Sequence, residues 1–274
     1  MKPMDFRDRW VIVTGASSGL GWEMAKSLAF EHGANVIPVA RRMSRLEELK
    51  REIESKSSAK VRPIAADLSN LEDVDRVFRE ATAEEPVYAA ILNAGISHFG
   101  DYHELSWTDF QTMLGTNVTG TVRLTTQLLP YLVARAEGGG LLIVSSMAGL
   151  TPVPYQTAYS ATKAFLVNFG CGLWHETRGE NVSVTTFVPG GIQTEMTSGD
   201  RFKALGGWLM PADKCAREAL DCFRKRRYLH APGVFMRAGT SLMAFVPRQF
   251  LTSRVAATYK TALQAAKLKA KPPA

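Results

Sequence analysis

The sequence predicts an α/β protein: a doubly wound parallel sheet of seven strands with helices on both faces. A C-terminal helical extension follows it. Two patterns and the chain length carry this expectation. From Trp10 to Val188, short apolar runs alternate with longer stretches of helical spacing, as in a parallel sheet whose crossovers are helices. The first apolar run leads through a glycine-rich turn directly into a helix. A chain of 274 residues with no internal repeat or long low-complexity segment suits one large α/β unit.

The elements follow in order. Trp10-Val11-Ile12-Val13 is apolar without interruption and reads as a buried strand over 10–14. Helix 19–31 comes next, with Met24, Ala25, Leu28 and Ala29 on one face. Strands are expected at 35–40, 61–65, 89–93, 141–145 and 182–188, with a short one near 228–230. Helices are expected at 43–56, 70–83, 106–136, 157–179 and 212–225. Gly138-Gly139-Gly140 is a turn before a strand, not a linker. The division is residues 1–232 for the main domain and 233–274 for an extension packed on that domain or at an interface.

Two motifs carry chemistry. Tyr159-Ser160-Ala161-Thr162-Lys163 is one helical turn, so the tyrosine and lysine project from the same face. A phenol normally ionises near pH ~10. A neighbouring ammonium favours the phenolate, which is how a tyrosine becomes a general acid or base. The second motif is Thr14-Gly15-Ala16-Ser17-Ser18-Gly19-Leu20-Gly21. Strand, glycine turn and helix together form the context of a dinucleotide site. Gly15 permits the tight turn, Gly19 the approach of a pyrophosphate, and Gly21 close helix–strand packing. The free N–H groups and positive end of the helix then face the phosphates.

With these motifs the chain resembles the short-chain dehydrogenase/reductase family over roughly residues 8 to 230. Thr14 to Gly21 matches its cofactor turn, including Ser17, Ser18 and Leu20. Asp67-Leu68 stands where the family contacts adenine, and Asn93-Ala94-Gly95 matches the motif closing the fourth strand. Asn117 lies at the family's active-site asparagine. Ser146, thirteen residues before Tyr159, lies at its catalytic serine. Pro189-Gly190 follows the sixth strand, and Ile192 and Thr194 fall where the nicotinamide carboxamide is held. The resemblance implies a Rossmann-type sheet and a Ser146, Tyr159, Lys163 and Asn117 constellation. Tyr159 exchanges a proton with a carbonyl or alcohol oxygen, and Ser146 binds the same oxygen. Lys163 lowers the tyrosine pKa and, with Tyr159, contacts the nicotinamide ribose. Asn117 holds a water that leads from Lys163 to solvent. It also implies a dimer or tetramer packed through helices 106–136 and 157–179.

The second strand ends in Ala40-Arg41-Arg42, where enzymes preferring NAD(H) carry an acid for the ribose 2′-hydroxyl. Guanidinium groups suit a 2′-phosphate, so NADP(H) is expected, with Arg41 ahead of Arg42 and Ser17 adding a hydrogen bond. One of the two arginines can instead stack on adenine or face solvent. The alternatives are an NAD-dependent alcohol dehydrogenase and a non-catalytic cofactor-sensing protein. By the resemblance, residues 192–210 form a lid. Its Met196, Phe202, Leu205, Trp208, Leu209 and Met210, with Leu150, Val153, Pro154 and Tyr155 opposite, suit a small hydrophobic substrate or merely anchor the lid.

Cys171, Cys215 and Cys222 fit neither a disulfide framework nor a metal cluster. The short charged segment before the first strand does not read as a signal peptide, and a cytoplasmic protein is expected. No acidic residue follows Asp221, while eleven lysines and arginines do. These exceed the whole chain's net charge of +7, so residues 1–221 are net acidic. Basic residues also alternate there with apolar ones from Leu242 to Leu268, a basic amphipathic helix pair broken at Pro247. Such a surface packs on the core, on a second subunit, or on anionic lipid as a peripheral contact. No nucleic-acid-reading motif accompanies the charge.

Overall fold

The computed structural model describes residues 1–205, 209–234, 236–237, 239 and 246–269. Trp208, Leu242, Met243, Phe245 and Lys271 lie outside them. Seven strands form one parallel sheet: β1 (Trp10–Thr14), β2 (Asn35–Ala40), β3 (Ile64–Ala65), β4 (Val87–Leu92), β5 (Gly140–Val144), β6 (Ser183–Phe187) and β7 (Leu229–His230). Their order is β3-β2-β1-β4-β5-β6-β7. The winding reverses between β1 and β4, and in open α/β sheets ligands bind beyond the carboxyl ends of the strands at such a point. β3 is shorter than the expected 61–65. Val61 makes an isolated bridge to Val36, and pairing resumes only at Ile64. Pro63 stands between them and has no N–H for the ladder.

Side chains alternate across the sheet and feed two cores. On one face α1 (Gly19–His32), α2 (Met43–Lys56) and α8 (Ala212–Arg224) set Met24, Leu28, Leu49 and Phe223 against Val11, Val13 and Leu142. On the other, α3 (Leu71–Ala83), α5 (Gly120–Arg135) and α6 (Thr157–Glu176) set Val77, Leu128 and Leu166 against Ile12, Ala90 and Ile143. Cys215 and Cys222 are buried in α8, where burial raises both thiols, Cys215 to about 12.

The single helix expected over 106–136 is three segments. α4 (Trp107–Leu114) runs through a π turn (Gly115–Thr119) into α5. A Cβ on Gly120 would fall on the Leu68 carbonyl oxygen, and one on Gly115 would lie 3.2 Å from Ser69 Cβ. Two glycines thus let the rod lie against the Leu68–Ser69 backbone. The widened turn there aims Asn117 inward, a usual place for a π turn.

Helix α7 (Asp200–Lys203) and α9 (Arg248–Lys269), the last described helix, wall the cavity beyond the carboxyl end of the sheet through Phe202, Val255, Thr258 and Tyr259. α9 begins directly after Pro247; the helix expected before it lies mainly outside the described residues. Phe99, Ala262 and Leu263 form a small third core with Phe202, Leu205 and Tyr259 packed on it. Among the described residues, no helix is long and apolar enough to cross a membrane.

Candidate active site

At the end of β1, Gly15 has φ +69 and Gly19 φ +58, backbone that glycine adopts at little cost. A Cβ on Gly15 would lie 2.9 Å from Ala94 Cα, and one on Gly21 would fall on the Gly15 carbonyl oxygen. Thr14 Oγ1 joins the two strand ends by accepting from the N–H groups of Asn93 (2.9 Å) and Ala94 (3.0 Å), while Asn93 Nδ2 donates to the Thr14 carbonyl (3.0 Å). α1 starts at Ser18 with no side-chain cap and no acid in its first turn. Its first N–H groups and positive end face a groove of about 450 Å³. Gly15, Ser17, Ser18, Arg41, Arg42, Asp67, Leu68, Ala94 and Gly95 line that groove. Glycines that leave room and an uncapped helix start fit the pyrophosphate of a dinucleotide.

At the far corner Arg41 is exposed. Arg42 Nη2 donates to Ser17 Oγ (3.1 Å) and pairs with Glu195 of the lid (3.0 Å). The Arg42 bond, first, and the nearby Ser18 hold the Glu195 carboxyl below the usual range. Glu195 lines the groove as well. It lies far from Arg42 in the chain and in no motif, so nothing in the sequence signals it. Asp67 turns one carboxylate oxygen toward the Ser69 N–H (3.0 Å) and hydroxyl (2.8 Å).

The groove continues into a cavity of about 550 Å³ whose lining includes Ser146, Tyr159, Lys163, Pro189, Gly190, Ile192 and Thr194. Ser146, two residues beyond β5, is the cap of a short 3₁₀ turn. Its Oγ accepts from Ala148 N–H (3.1 Å) and lies 3.4 Å from the Pro189 carbonyl oxygen. Ser146 and Tyr159 line the same cavity, and Ser146 is near enough to act on the Tyr159 phenol. Lys163 is 4% exposed. Its Nζ donates to the Val144 carbonyl (3.0 Å) and lies 5.8 Å from the centre of the Tyr159 ring. Ser145 Oγ holds this turn of α6 by donating to the Lys163 carbonyl (2.7 Å).

The electrostatics differ from the expectation that Lys163 lowers the tyrosine pKa. Burial pushes Tyr159 up to about 12, with Ser146 opposing, and brings Lys163 down to about 8. Desolvation is the first cause for both groups.

Asn117, fully buried, accepts from Ile96 N–H (2.8 Å) and donates to the Ile96 carbonyl (2.9 Å) and Thr162 Oγ1 (3.0 Å). It positions the chain after Asn93-Ala94-Gly95. A Cβ on Gly95 would lie 3.2 Å from Lys163 Nζ and 3.3 Å from Asn117 Oδ1, so glycine opens the space these groups share. In the lid, Ile192 bridges Met210, and Thr194 caps the turn Glu195–Thr197. A Cβ on Gly19 would be 3.0 Å from Thr194 Cγ2, which places Thr194 over the glycine turn.

The family model for short chain dehydrogenases matches residues 9–203. The chain is 36% identical to a sulfoacetaldehyde reductase from Chromohalobacter salexigens, over 68% of the chain and 74% of that protein. It is 32% identical to a very-long-chain 3-oxoacyl-CoA reductase from Kluyveromyces lactis over 79% of the chain, but spans only 64% of that relative's length. Its fold overlays a short-chain dehydrogenase from Sphingobium yanoikuyae in complex with NADPH, with TM-score 0.76 and 25% identity, covering 87% of this chain and 96% of the other. The chain belongs to the short-chain dehydrogenase family, oxidoreductases that work on carbonyl or alcohol groups with a nicotinamide cofactor.

Proposed function

We propose that the chain is an NADP(H)-dependent oxidoreductase of an apolar ketone or secondary alcohol. The observation that carries this is that Ser146, Tyr159 and Lys163 line one cavity, where the glycine-lined groove opens between walls of Met147, Val153, Phe202, Leu205 and Leu209. When bound, the nicotinamide supplies or accepts the hydride. The chain's own residues do the rest. Tyr159 donates its proton to the carbonyl oxygen in reduction, or takes one from the alcohol in oxidation. Ser146 binds the same oxygen and stabilises charge developing there. Lys163 lies beneath the tyrosine and is near enough to neutral pKa to pass a proton. Asn117, across the space left by Gly95, holds the water that leads from Lys163 toward solvent. Ser17, Arg41 and Arg42 bind the 2′-phosphate.

Tyr159→Phe is expected to lower turnover about 10³-fold with NADPH affinity retained, measured by NADPH oxidation and by calorimetry. Turnover at the wild-type rate would sink the assignment. A second reading, NAD(H) as cofactor, is favoured by Glu195, because a carboxylate in that corner can accept from a ribose 2′-hydroxyl.

A further inference from the structure

α9 lies beyond the residues that the family model matches. Its inward stripe is Val255, Tyr259, Ala262, Leu263 and Ala266, part-buried or buried, with Arg254 and Lys260 exposed. These stripe positions recur every three or four residues, one helical face. The stripe rests on the rim of the cavity. Tyr259 packs edge-on to Phe99 at 5.0 Å between ring centres, and Phe99 packs on Phe202 of α7 at 5.2 Å. Val255, Thr258 and Tyr259 line the same cavity as Ser146 and Tyr159.

The far end of α9 is pinned. Lys267 Nζ pairs with Asp101 (2.8 Å) and Glu104 (3.1 Å). Glu104 also receives Arg201 of α7 (2.7 Å), and the same arginine nitrogen donates to the Phe99 carbonyl (2.5 Å). Asp101, His103 and Glu104 offer donor atoms within 4.8 Å of one another. Lys267 and Arg201 already engage both carboxylates, so the cluster works as a clasp between α9 and the lid.

We propose that α9 is a pinned cap that limits the size of the substrate's apolar part, with Tyr259 as the specificity-determining residue. The proposal rests on the oxidoreductase reading. The substrate it implies has its reacting carbonyl at Ser146 and Tyr159 and an apolar tail running under α9. Tyr259 contributes its ring as a wall, and Lys267 holds that wall in place.

The test is binding of butan-2-one, octan-2-one and dodecan-2-one, by calorimetry with NADPH present, to the full chain carrying Tyr159→Phe, in which turnover is about 10³-fold slower. Adding Tyr259→Ala is expected to raise the affinity for dodecan-2-one relative to butan-2-one about tenfold. Tyr259→Phe should keep the original ratio. Val255→Phe, which fills the cavity from the same helix, should lower the ratio, and it serves if Tyr259→Ala fails to fold. A ratio unmoved by either variant, equal losses for all three ketones, or no ketone bound at all would overturn the proposal. If the wild-type chain reduces none of the ketones while the binding ratios shift as stated, the oxidoreductase reading fails and with it the reacting carbonyl at Ser146 and Tyr159, and only the wall that Tyr259 sets on a bound apolar chain is kept.

Discussion

Lys163 is almost wholly buried at the wall of the cavity, and its pKa of about 8 makes the cost of that burial measurable. Between about 8 and its ordinary value of 10.5 the unfolded chain holds a proton that the folded chain has released. The stability contribution of this group therefore rises with pH across that window and is lowest below it. Lys163→Met removes the penalty. The variant is expected to be the more stable protein below pH 8, by at most about 3 kcal/mol, with the difference shrinking toward pH 10.5. Urea midpoints across that range check this, and a constant difference would contradict burial as the cause. Tyr159 has the opposite sign: raised to about 12, it lowers stability only above its ordinary value of 10. Glu195 supplies a second test. Its carboxylate sits against Arg42 and Ser18 in the corner assigned to the 2′-phosphate. Glu195→Gln should tighten NADPH binding about three- to tenfold, a gain of about 1 kcal/mol, and change NADH little. Weaker NADH binding with unchanged NADPH would favour the NAD(H) reading instead.

Among the elements, the rod from α4 to α5 shows where a sequence stops being legible. Its apolar spacing reads as one helix, because a single widened turn barely disturbs the periodicity over so long a run. The π turn becomes visible only through what Gly115 and Gly120 touch, the backbone around Leu68, and that is a tertiary fact. Gly120→Ala should therefore destabilise the chain by about 1–3 kcal/mol, although alanine is the better helix former. A thermal midpoint at or above the wild-type value would contradict this close approach. Strand β3 differs in kind, since the expected run 61–65 passed over Pro63, whose missing N–H breaks the ladder before Ile64. α9 shows the limit most clearly. A basic amphipathic helix has one appearance whether it meets lipid, another subunit or its own body. Only the ring contacts of Tyr259 and the clasp at Lys267 give its apolar face a partner.

At the scale of the whole molecule, the sheet brings together residues that lie far apart in the chain. Gly15, Asn93, Ser146 and Tyr159 all follow strand ends or start the helix beyond one; the resemblance to the family's motifs singled out Asn93 and Ser146, and the strand ends bring all four to one crevice. Arg42 and Glu195 meet there from opposite halves of the chain, with no local pattern to announce it. The cofactor corner is consequently the part of the site where two opposed charges decide the outcome. Titration calorimetry of the purified chain with NADPH and then with NADH measures that balance directly. The account predicts NADPH binding at least about tenfold tighter, the worth of about 1.4 kcal/mol from guanidinium contacts to one phosphate. Equal affinities, or a preference for NADH, would contradict it and assign the corner to Glu195.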